Sequence, residues 1–154
     1  MSLEKRPEQL GEELLKAAGY GDRHTLERCL DGGANIDYQD FNGGTALYYA
    51  ALKRNIDIVR LLIDGGINLN LQNKTGGTAL HFAALNRSTE IVQLLIDGGC
   101  NLNLQNNIGL TALHNAATSG DTETAHLLID NGININKQTN VSRRSIEYMF
   151  HILC

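Results

Sequence analysis

Gly77-Thr78-Ala79-Leu80-His81-Phe82-Ala83-Ala84, followed by Leu94-Leu95-Ile96-Asp97-Gly98-Gly99, decides how this chain folds, because the same arrangement occurs three times. Upstream it reads Gly44-Thr45-Ala46-Leu47-Tyr48-Tyr49-Ala50-Ala51 with Leu61-Leu62-Ile63-Asp64-Gly65-Gly66. Downstream it reads Leu110-Thr111-Ala112-Leu113-His114-Asn115-Ala116-Ala117 with Leu127-Leu128-Ile129-Asp130-Asn131-Gly132. Thr45, Thr78 and Thr111 are separated by 33 residues each time. A strict period of that length belongs to a stacked array of supersecondary units, not to a closed globule.

Working outward from the repeat, each copy reads as turn, helix, short connection, helix and extended loop. Thr45, Thr78 and Thr111 are suited to cap a first helix, whose apolar face is Leu47, Ala50 and Ala51 in the first of the three copies. The paired alanines allow neighbouring first helices to approach closely. The second helix carries Ile58, Val59, Leu61, Leu62 and Ile63 and stops at Gly65-Gly66. Asn68-Leu69-Asn70-Leu71-Gln72-Asn73 then leads to the next turn. Leu14, Ala17 and Ala18 repeat the first-helix face one period earlier, but without the Gly-x-Thr-Ala-Leu entry turn. With polar Thr25 and Arg28 on the following helix, residues 8–39 are expected to be an N-terminal capping repeat. Full repeats are expected over 40–72, 73–105 and 106–138, and a C-terminal half-repeat helix within 139–154. In that last segment Ile146, Met149, Phe150 and Leu153 share one helical face. Either this helix closes the array, or it is the exposed stub of a longer one.

These residues resemble the ankyrin repeat. The family's Thr-Pro-Leu-His-x-Ala signature is matched by Thr78-Ala79-Leu80-His81-Phe82-Ala83 and Thr111-Ala112-Leu113-His114-Asn115-Ala116, and more loosely by Thr45-Ala46-Leu47-Tyr48-Tyr49-Ala50. The resemblance covers about residues 10 to 138 and implies an all-α ankyrin-repeat solenoid. Ala46, Ala79 and Ala112 replace the family's proline, which removes a pre-set backbone angle at a cost of a few tenths to about 1 kcal/mol per repeat. Tyr48 replaces the signature histidine, so the turn hydrogen bonding implied for His81 and His114 is not expected in that repeat.

Composition bounds the function. Hydrophobic residues make up 42% and charged residues 19%, a balance typical of soluble domains. No stretch approaches the roughly 18 apolar residues of a membrane span, and the first residues lack the apolar run of a signal peptide. These features lead to the expectation of a soluble, cytoplasmic monomer that does not engage a membrane. The formal charge of -4 is spread out, and Arg143-Arg144 is too short a basic run to hold phosphates, which argues against nucleic acid. Cys29 and Cys100 fall in register with core aliphatic residues, which leaves Cys154 as the candidate reactive thiol.

Catalytic and metal chemistry find no support in the spacing. His81 and His114 stand one repeat apart, roughly 10 Å at usual helix packing distances, too far to share a metal whose ligands lie about 2 Å away. His126 is in register with Arg60 and Gln93, a solvent position, and His24 and His151 lack companions at ligand spacing. Thr-Gly-Gly-Thr at 75–78 lacks the lysine of a phosphate loop, and there is no nucleophile elbow. We therefore expect no cofactor and no enzyme. The alternative is a structural ankyrin segment of a larger protein whose catalytic or signalling domain lies elsewhere.

The family resemblance implies binding of a protein partner on the concave side, through loop tips and first helices. Carried onto this chain, that surface comprises Phe41 and Asn42, Lys74 and Thr75, and Asn107, Ile108 and Leu110 at the tips. On the helices it comprises Tyr49, Leu52, Lys53, Phe82, Leu85, Asn86 and Asn115. Tyr49, Leu52, Phe82 and Leu85 are either interface anchors or side chains that cover one another between repeats. Within the deciding stretch, Phe82 is the position that the scaffold itself is not expected to need. Gln39, Gln72, Gln105 and Gln138 form one ladder and Asn70, Asn103 and Asn136 another, whose expected role is hydrogen bonding between loops.

Overall fold

A computed structural model of the chain describes residues 4–136 and His151. Within those residues the secondary structure is eight helices: α1 Pro7–Tyr20, α2 Arg23–Asp31, α3 Ala46–Leu52, α4 Ile56–Asp64, α5 Ala79–Leu85, α6 Thr89–Asp97, α7 Ala112–Ser119 and α8 Thr122–Asp130. The C-terminal helix expected within 139–154, apart from the exposed His151, and the thiol of Cys154 lie outside the described residues.

The helices form two layers. In the inner layer α1 packs on α3, α3 on α5 and α5 on α7; in the outer layer α4 packs on α6 and α6 on α8. The alanine pairs let the inner layer close up: Ala18, Ala50, Ala51, Ala83, Ala84 and Ala116 have no exposed surface at all. Between the layers lie Leu14, Leu26, Leu47, Val59, Leu62, Val92, Leu95 and Leu128, so one continuous core runs the length of the array. Cys29 and Cys100 belong to this core, and burial pushes the Cys100 thiol up to about 11, which leaves it protonated and unreactive.

The repeated threonines start the inner helices. Thr45 Oγ1 accepts the Tyr48 N–H at 3.1 Å. In the next two repeats the histidine joins in. His81 Nδ1 accepts the Thr78 N–H at 3.2 Å, and its Nε2 donates to the Leu110 carbonyl at 2.9 Å in the following turn. His114 Nδ1 likewise accepts the Thr111 N–H at 3.2 Å. Both imidazoles are thus structural. Burial lowers their pKa, because a charged ring there would be poorly solvated. Tyr48, in the same register, instead sets its ring edge-on to Tyr49 and Phe82, with centroids 4.9 and 4.6 Å away.

The loops are tied from repeat to repeat. Gln39 Nε2 donates to the Gly43 carbonyl in its own turn and to the Gln72 carbonyl in the next repeat; Gln72 does the same toward Gly76 and Gln105. A second ladder runs through backbone N–H groups, with Asn68 held by Asp37 Oδ1, Asn101 by Asn70 Oδ1 and Asn134 by Asn103 Oδ1. These ladders give structural work to many of the chain's asparagines and glutamines.

Candidate partner-binding face

Three hairpin turns project beyond the inner helices. In the first, the Asp40 N–H donates to the Gly44 carbonyl, Gly43 takes the left-handed φ of 76°, and Asp40 Oδ1 accepts the N–H groups of Asn42 and Gly44. Asn73 and Asn106 build the second and third turns in the same way. Adjacent tips are joined directly, Lys74 N–H to the Asn42 carbonyl and Asn107 N–H to the Thr75 carbonyl, both at 2.9 Å. A side chain at Gly43 or Gly76 would strike the neighbouring tip, since an added Cβ would stand 2.9 and 2.6 Å from it. Glycine is therefore required there both for the turn and for the approach of the next one.

On these tips Phe41 is 84% and Ile108 51% exposed. The Lys74 ammonium lies 3.4 Å from the centroid of the Phe41 ring, a cation–π pair across two repeats. Asn42 and Thr75 are exposed, while Asn107 also donates its side-chain amide to the Lys74 carbonyl. Leu110 is half-buried beneath its tip and supplies the carbonyl that His81 holds.

The inner-helix residues divide into two groups. Leu85, at 43% exposure, and Lys53 reach solvent, with Leu52 half-buried beside them. Tyr49, Phe82, Asn86 and Asn115 are engaged in the array. The Tyr49 ring covers Gly44 and its hydroxyl donates to Asp40 Oδ2, which pushes the phenol up to about 12. Phe82 covers Gly77 and packs on Tyr48. Asn86 donates to the Leu52 carbonyl, and Asn115, only 9% exposed, donates to the His81 carbonyl at 2.9 Å. Phe82 is thus half-buried between Tyr48 and its turn, and Asn115 is buried with its amide on the backbone of the previous inner helix.

Sequence reasoning left out the contribution of α1. A recess of about 360 Å³ opens between α1 and α3, lined by Glu12, Leu15, Lys16, Gly19 and Tyr20 on one side and Asp40, Tyr49 and Lys53 on the other. Tyr20 is 86% exposed. The signal was available: Lys16, Gly19 and Tyr20 precede Tyr49, Leu52 and Lys53 by the same 33 residues. Asp40 feels burial first, which opposes its charge, but the Tyr49 hydroxyl and the N–H groups of Gly44 and Asn42 outweigh it and keep the carboxyl below its ordinary range.

The family model described as ankyrin repeats (3 copies) matches residues 14–106 and 63–139. The chain belongs to the ankyrin repeat family. A stretch of 55 residues is 47% identical to a protein described as L-asparaginase from Dirofilaria immitis, covering 36% of this chain and 9% of that protein. Another, of 51 residues, is 41% identical to a protein described as VAPYRIN-LIKE from Medicago truncatula, covering 33% of this chain and 11% of that protein. The chain therefore spans about a tenth of the length of these curated relatives, and the asparaginase match does not bear on catalysis. Ankyrin repeats generally mediate protein–protein interaction and are typically non-catalytic. Among the described residues no helix is long and apolar enough to cross a membrane.

Proposed function

We propose that this ankyrin array is a non-catalytic interaction module that binds a protein partner through its concave face and acts as adaptor, inhibitor or effector. The supporting observation is the location of its exposed apolar side chains. Among the described residues five large ones are exposed, and four of them, Tyr20, Phe41, Leu85 and Ile108, lie on the hairpin tips and inner helices. Large exposed apolar groups gathered on one surface and set among polar residues mark interaction sites. In this reading the array consists of a capping repeat at 8–39, repeats at 40–72, 73–105 and 106–138, and a closing helix in 139–154. It works as a cytoplasmic monomer.

Immobilised chain, incubated with cell extract, is the direct test. Leu85→Asp/Ile108→Asp, which alters exposed positions only, is expected to lose proteins that the parent retains while keeping its helical content. Retention of the same proteins by both forms would rule out this face. A second reading, that the array is a structural segment of a larger protein, is supported by its spanning about a tenth of the relatives it matches.

A further inference from the structure

From α3 to α8 the acidic helix residues are sorted by layer. Helices α4, α6 and α8 each carry two acidic residues, Asp57 and Asp64, Glu90 and Asp97, and Glu123 and Asp130, whereas α3, α5 and α7 carry none; α1, at the first end of the inner layer, carries Glu8, Glu12 and Glu13. The cations are sorted too. Lys5 and Arg28 pair with Glu13, Arg23 with Glu27 and Arg60 with Glu90. Apart from Arg6 at the start of α1, the cations without an ion pair among the described residues are Lys16, Lys53, Arg54, Lys74 and Arg87. None of the five is on an outer helix: Lys16 is on α1, Lys53 and Arg54 lie in the connection from α3 to α4, Arg87 in that from α5 to α6, and Lys74 on a tip.

Two acids border this surface without a direct ion pair among the described residues, although the Lys74 charge helps to keep Asp40 ionised. Glu12 accepts the Tyr38 hydroxyl and Asp40 accepts the Tyr49 hydroxyl, so each is engaged by a neutral donor of the fold. Two of the cations also sit where the backbone disfavours any side chain. Arg54 and Arg87 adopt φ of 60° and 56°, at a register position that the other two repeats give to Gly21 and Gly120. A strained backbone occupied by a charged residue points toward a use for the charge.

We propose that the inner face receives an acidic peptide segment of the partner protein, with its carboxylates meeting Lys16, Lys53 and Lys74 and an apolar side chain entering the recess beside Tyr20. This inference rests on the protein-binding reading above and narrows it. The recess is of side-chain size; Leu15, Tyr20 and Tyr49 give it an apolar wall, and its rim carries Lys16 and Lys53 beside Glu12 and Asp40, each of which is held by a tyrosine hydroxyl. The outer layer repels the same segment, so the sorted charges orient its approach. A nucleic acid is also anionic, but its unbroken phosphate line would run past Glu12 and Asp40, whereas a peptide can place its carboxylates away from them.

Short random peptides displayed on phage and selected on the full chain test this. A selected peptide is titrated by fluorescence anisotropy against the parent, the exposed triple variant Lys16→Gln/Lys53→Gln/Lys74→Gln, and Leu85→Asp, with circular dichroism confirming that each variant keeps its fold. We expect selected peptides rich in Asp and Glu around an aromatic or aliphatic residue. Affinity should fall about tenfold or more in the triple variant at low salt, with a smaller difference at high salt. Tyr20→Ala should weaken the same peptide. Peptides without acidic excess that still depend on Leu85 would overturn the acidic-segment proposal and leave the binding face standing. Peptides insensitive to every one of these substitutions would overturn both. Tighter binding of a single-stranded oligonucleotide than of any selected peptide would replace the proposed partner with nucleic acid.

Discussion

A methyl group added at Gly77 would stand 2.6 Å from the Phe82 ring, and one added at Gly44 would stand 2.9 Å from the Tyr49 ring. The third copy of the same register has Leu110 where the others have glycine, and there the aromatic position is Asn115. Ring and glycine therefore act as a pair: the turn is left bare so that the aromatic side chain can lie over it. Phe82→Ala should cost about 1 to 3 kcal/mol in urea unfolding, since it removes a half-buried ring from Tyr48 and from the turn. An unchanged midpoint would return Phe82 to the role of a free anchor. The arginines at left-handed backbone positions make the opposite prediction. An L-residue there is strained by about 1 to 2 kcal/mol, and the extra freedom of glycine in the unfolded chain offsets only part of that. Arg87→Gly should therefore raise stability by about 0.5 to 1 kcal/mol, measured as a higher melting temperature, while a lower one would show that the arginine side chain is needed where it stands.

At the level of the helix, capping separates residues that look alike in sequence. Thr45 Oγ1 caps α3 through the Tyr48 N–H, whereas the Ser88 hydroxyl at the start of α6 is buried without a partner among the described residues. Thr45→Ala should cost about 1 kcal/mol. Ser88→Ala should change stability by less than about 0.5 kcal/mol, because no hydrogen bond is lost. Denaturant titration of the two variants side by side decides this, and equal losses would mean that Ser88 has a partner after all. The helices, their caps and their core faces were legible in the sequence because a period of 33 residues repeats each instruction several times. The lie of the Tyr49 and Phe82 rings was not, because a helix position beside the core face is compatible with pointing outward or folding down over a turn. The contribution of α1 was missed for a different reason. Leu10 to Leu14 lack the entry turn, so the register of the binding face was not carried back to Lys16, Gly19 and Tyr20.

Across the whole molecule, the two buried histidines join neighbouring repeats to the solution pH. Both have pKa values lowered by burial, so the unfolded chain binds more protons than the folded one at mildly acidic pH. Their neutral rings contribute fully above the ordinary histidine value of about 6.5, and that contribution is lost as the pH falls through the lower folded values. The melting temperature should therefore drop between pH 7 and pH 5, and the drop should be smaller in His81→Gln/His114→Gln. Parallel pH profiles for parent and variant would remove the histidines as the cause. The meeting of Lys16 and Lys53 at one recess was hidden in the linear order, where they stand 37 residues apart and only the packing of α1 on α3 brings them together. The same stacking gives the tips a mechanical property. Each is bonded to the next by a backbone hydrogen bond and by a glutamine, so the tips cannot drift apart independently. With helices packed about 8 to 10 Å apart and an extended chain advancing about 3.3 Å per residue, the array is a ruler graduated in three-residue steps. A strand laid along the inner face would offer every third side chain to a new repeat, so inserting one residue into such a ligand would put everything beyond it out of step.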